Sequence, residues 1–143
     1  MPVFSGQNRE QLRQMYRNSW RKYTSRQPLE PLEAQVAAVI AEHPEYVPLL
    51  ESGPQALAAD YTPEGGRANP FLHMGLHLAI REQVATNRPA GIAQIHQALS
   101  QRQGDPHAAE HAMLELLAEI LWEAQRSGRA PDEQRYLERL RAL

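Results

Sequence analysis

The 143-residue chain has no cysteine, so it can contain no disulfide, thiolate nucleophile or thiolate-ligated metal. Long apolar runs are also missing. The opening stretch lacks the hydrophobic core of a secretory signal, and no later run approaches the roughly 20 apolar residues of a membrane-spanning helix. A cytoplasmic protein without membrane association is therefore expected. A dominant charge of one sign is absent as well, with a formal net charge of -2, which argues against a general nucleic-acid binder.

The charges that are present are sorted along the chain. Arg9, Arg13, Arg17, Arg21, Lys22 and Arg26 form a basic stretch interrupted only by Glu10. Every charged residue from Glu30 to Glu64 is acidic. The simplest expectation is internal: a basic first helix lies against the acidic segment that follows it. RNA binding is the functional alternative. Tyr16, Trp20 and Tyr23 interleave with the basic residues, but no RNA-binding motif accompanies them.

Helical periodicity runs through most of the sequence, and no stretch reads as a strand. A first helix is expected from a cap at Asn8 to about Tyr23, with Leu12, Met15, Tyr16, Ser19, Trp20 and Tyr23 on one face. A second should span about Pro31 to His43, with Leu32, Val36, Val39, Ile40 and His43 on its stripe, before Pro44 and Pro48 break or restart it. The segment "TPEGGRANP" is turn-rich. A third helix should begin at Pro70 behind an Asn69 cap and end near Thr86. A fourth is expected from about Pro89 to Gln103, stopped by Gly104, and a fifth from Pro106, capped by Asp105, to Ser127. A short last helix should turn Tyr136, Leu137 and Leu140 inward. The expected fold is all-α: one irregular helical bundle of about five to six helices over residues 1–143, with a connector at about 51–69.

Two of these helices carry ionisable residues among apolar ones. In "NPFLHMGLHLAI", His73 and His77 stand one turn apart, with Arg81 a turn further on. The expected inner face is Leu72, Leu76, Ile80, Gln83 and Val84, with His73 inside the arc and His77 at its flank. In "DPHAAEHAMLELLAEILWEAQ", Leu114, Leu117, Ala118 and Leu121 make the expected stripe. His107 and Glu110 precede it on the same arc, and His111, Glu115 and Trp122 follow one flank. Facing each other, the two helices would gather imidazoles and carboxylates, the donors that suit zinc, iron or manganese. Neither His-Glu-x-x-His nor Glu-x-x-His occurs, so the pattern matches no standard bundle-metal signature.

The competing reading is a buried histidine–carboxylate network that fixes helix register and does no chemistry. His43 reads as a helix-end residue and His96 as a satisfied core-facing one.

The stretches "NPFLHMGLHLAIREQ", "AEHAMLELLAEILWEAQRSGRAPDEQRYLERL" and "NREQLRQMYRNSWRKY" together resemble a family of small uncharacterised bacterial proteins, known only as a domain of unknown function. That resemblance implies a bacterial, cytoplasmic protein and brings no activity, cofactor or site residue. From the residues themselves, two function classes stand. One is a metal-binding protein with His73, His77, His111 and Glu115 as ligands to divalent zinc, manganese or iron. As an enzyme it would be a metal-dependent hydrolase with Glu110, Glu115 and Arg81 as catalytic candidates. The other is a non-catalytic interaction or regulatory module, acting as a homodimer or with another protein, since Trp20, Tyr23 and Trp122 exceed what one small core need hide.

Overall fold

The computed structural model describes residues 9–52 and 69–143. The fold is an all-α helical bundle with no strand among the described residues. The described α-helices number seven, slightly more than expected. They are α1 Arg9–Thr24, α2 Pro31–Ala41, α3 Val47–Glu51, α4 Pro70–Thr86, α5 Ile92–Gln103, α6 Pro106–Ser127 and α7 Glu133–Arg141, with a 3-10 turn at Pro44–Tyr46. The Asn8 cap and most of the expected connector, including its paired glycines, lie outside the described residues. No described helix is long and apolar enough to cross a membrane.

Contacts divide the chain into two compact units, Met1–Met74 and Gly75–Leu143. The division falls inside α4, which runs unbroken through it.

In the first unit, α1 packs on α2 and on α3. Tyr16, Val36, Val39, Ile40 and Leu50 are essentially inaccessible. Buried side chains of this size each contribute about 1.5–3 kcal/mol relative to exposure. The basic and acidic stretches do meet here. Lys22 Nζ lies 2.8 Å from Glu33 Oε2, and the Trp20 indole donates to Glu51 Oε1 at 3.4 Å.

In the second unit, α5 packs on α6 and both meet α7. The core draws Leu76 and Ile80 from α4, Ile92 and Leu99 from α5, Met113, Leu114, Leu117 and Ile120 from α6, and Tyr136, Leu137 and Leu140 from α7. Asn87 links two elements. It takes a left-handed φ of 52° just past α4, and its Oδ1 accepts from the N–H groups of Gly91 and Ala93 where α5 begins. Helix α6 ends at Gly128, whose φ of 69° suits a residue without Cβ.

Two expected faces need correction. On α4, Leu72 is 59% exposed, whereas Phe71, Met74 and His77 are buried. Leu76 and Ile80 are buried as expected, so the buried surface is the expected arc without Leu72, widened to take in residues 71, 74, 77 and 78. On α6, Leu121 and Trp122 are exposed, and the buried row is Glu110, Met113, Leu114, Leu117 and Ile120. Helix α5 begins at Ile92, later than the Pro89 expected.

Candidate functional site

Helix α4 carries the central residues, and its start fixes their register. The Asn69 carboxamide oxygen accepts from the N–H groups of Phe71 at 3.0 Å and Leu72 at 3.1 Å, and Pro70 occupies the first helical position. At 3.6 residues per turn, His73, His77 and Arg81 then succeed one another along one side of the helix.

In the first unit, His73 meets His43. Pro44 disfavours helical backbone at the residue before it, and His43 takes φ -129° and ψ 64° just past the end of α2. That turn folds the ring back beneath the helix terminus. Nδ1 of His43 donates to the carbonyl oxygen of Val39 at 2.8 Å, adding a second donor to a carbonyl of the last turn. The Tyr46 ring stacks on the imidazole at 5.5 Å between centroids, with 3° between the planes. The His73 ring meets it edge-on at 5.0 Å. His43 is buried and His73 half-buried.

In the second unit, His77 meets α6. Asp105 caps that helix by accepting from the His107 N–H at 3.1 Å, and Pro106 starts it. This sets His107, Glu110 and His111 on its first two turns. Nδ1 of His77, a fully buried ring, is hydrogen-bonded to Oε1 of Glu110. Arg81 Nε donates to both oxygens of the same carboxylate, at 3.1 and 3.2 Å. Burial pushes the Glu110 carboxyl upward, but the His77 hydrogen bond and the Arg81 charge outweigh it and hold the group below the ordinary carboxylate range. The His77 ring lies 5.7 Å from that of His107 and 5.4 Å from that of His111, and those two are 5.9 Å apart.

These bonds fix tautomers. A backbone carbonyl and an ionised carboxylate can only accept, so Nδ1 carries the hydrogen in both His43 and His77. In the neutral ring the lone pair then belongs to Nε2, the nitrogen that can bind a metal.

Within the second unit, the His77, His107 and His111 rings group where α4 and α6 face each other, and imidazoles so grouped suit an ion of the zinc class.

The sequence-predicted residues divide as follows. In the second unit His111 adjoins His77 through its ring, and His107 joins them. Glu110 and Arg81 are engaged with each other and, through Glu110, with His77. In the first unit His73 meets His43. Glu115 lies exposed on α6, outside the row of Glu110, Met113 and Leu117. The contact of His43 with His73 is one that sequence reasoning left out. Two signals mark His43: it closes the apolar stripe of α2, and a proline follows it, turning a helix-end histidine inward.

No curated protein and no solved structure matches the chain. A family model described as "Domain of unknown function (DUF1841)" matches residues 8–142, and the chain belongs to that family.

Proposed function

We propose that the protein binds a divalent transition metal of the zinc class, with His77 of α4 and His107 and His111 of α6 as nitrogen ligands. The observation that carries this reading is the grouping of the three imidazole rings within one unit, 5.4–5.9 Å apart between centroids, with His77 held by an acceptor at Nδ1. A single histidine–carboxylate bond that fixes helix register needs no second and third imidazole beside it.

The donor set also selects among metals. Three neutral imidazoles suit zinc and its late-transition neighbours, whereas magnesium, calcium and manganese prefer carboxylate and carbonyl oxygen. Zinc and iron therefore lead over the manganese considered from sequence.

Glu110 is committed to His77 and Arg81, and Glu115 is exposed, so neither supports a hydrolytic base directly at this group. The reading is accordingly a metal-binding protein.

The test is zinc binding by the full chain, prepared without a histidine tag and stripped with chelator. Isothermal titration should give about one zinc per chain. The His77→Gln, His107→Gln and His111→Gln variants should each weaken binding by more than about 100-fold, since even supporting residues around a metal cost 10–100-fold. Failure of the parent protein to bind zinc, or equal binding by a variant lacking all three histidines, contradicts the proposal.

A further inference from the structure

We infer that Glu110 is a positioning residue for the metal site: it holds the His77 ring with Nδ1–H donated and Nε2 as the ligand atom, and Arg81 holds Glu110 in place. This deepens the metal-binding reading and rests on it.

The geometry is specific in three respects. First, the bond joins residues 33 positions apart and reaches a ring with no solvent exposure. Bulk water is excluded there as a competing partner, so the carboxylate decides which nitrogen carries the hydrogen. Second, Glu110 sits 8% exposed in the apolar row of α6, beside Met113 and Leu114. Leucine would serve packing at that position. A carboxylate there is costly unless it is paired, and Arg81 supplies the pairing through both oxygens. Third, His77 and Arg81 are one turn apart on α4, so a single carboxylate engages two successive side chains of that helix. An ion pair meant only to join two helices has no need of the histidine. Carboxylate, imidazole and metal in series is the arrangement by which supporting residues orient metal-bound histidines and raise their basicity.

The arrangement also fixes charge. Glu110 and Arg81 cancel, and His77 bound through Nε2 is neutral. The supporting residues thus leave the ion's positive charge uncompensated, which favours an anionic or strongly polarisable fourth ligand.

The experiment uses the full chain in two states. Without metal, nitrogen-15 NMR of the histidine rings should show His77 in the Nδ1–H tautomer, its signals assigned by their loss in His77→Gln. In Glu110→Ala that tautomer should give way to Nε2–H or to a mixture, whereas Glu110→Gln, which keeps an acceptor oxygen, should retain it. With zinc, Glu110→Ala should bind about 10–100-fold more weakly than the parent, and Glu110→Gln should recover part of that loss. Circular dichroism before each titration confirms that the variants are folded, and the glutamine variant serves if the alanine one is not. A native His77 in the Nε2–H form, or zinc affinity unchanged in both variants, overturns the positioning role while leaving the metal site standing. Refusal of zinc by the parent protein overturns the metal reading and this role with it.

Discussion

The imidazole of His43 donates to the carbonyl oxygen of Val39, four residues back at the end of α2, across 2.8 Å. One bond thereby caps a helix and selects the ring's tautomer. His43→Ala removes the donor and should lower stability by about 1 kcal/mol in urea unfolding. An unchanged unfolding free energy would show that the buried ring gains nothing from this bond.

The second expectation concerns Glu115. It is exposed on α6 and lies outside the buried row. Glu115→Gln should leave zinc affinity within about twofold of the parent, since supporting residues that do matter cost 10–100-fold. A loss of tenfold or more in the same titration would return this carboxylate to the site.

The third tests the facing of α4. Met74 is fully buried and Leu72 is 59% exposed, two positions apart on one helix. Met74→Ala should cost about 2–5 kcal/mol in urea unfolding. Leu72→Ser should stay within about 0.5 kcal/mol. Reversed magnitudes would restore the face expected from periodicity.

The fourth concerns alkaline pH. Burial pushes the Tyr16 phenol up to about 12 from its ordinary 10.0. Below pH 10 the phenol is protonated in both folded and unfolded chains and contributes no pH dependence. Between about 10 and 12 the unfolded chain ionises first and releases a proton, so stability falls as pH rises through that window. Tyr16→Phe should shift the alkaline unfolding midpoint upward, followed by circular dichroism with absorbance at 295 nm. An unchanged midpoint would place Tyr16 in contact with water.

The fifth is a single hydrogen bond in the second unit. Tyr136 Oη donates to Gln83 Oε1 at 2.8 Å from a site 3% exposed. Tyr136→Phe should lower stability by about 1 kcal/mol. A neutral or stabilising result would show that the buried phenol gains nothing from its partner.

Helix limits were legible where local chemistry sets them. Asn69 with Pro70, Asp105 with Pro106, and Gly128 mark ends that the sequence places correctly, because capping depends on neighbours along the chain. Helix faces were less legible. Periodicity locates an apolar stripe but leaves its centre uncertain by a residue or two. That uncertainty made Leu72 and Leu121 look buried and His77 peripheral. The spacing of His73, His77 and Arg81 along α4 was legible, whereas the bonds of Glu110 to His77 and Arg81 join two helices and no local spacing reports them. His43 was harder to see because its nearness to His73 joins residues 30 positions apart, across a segment with no periodic signal. Nothing in local spacing reports a contact of that kind.

X-ray absorption spectroscopy of the zinc-loaded, tag-free chain tests the account most directly. It predicts a first shell containing at least three nitrogens at about 2.0–2.1 Å, with the outer-shell scattering of imidazole rings, both lost when His77, His107 and His111 are replaced together. A shell of oxygens without imidazole scattering, or the same spectrum from the triple variant, would contradict it.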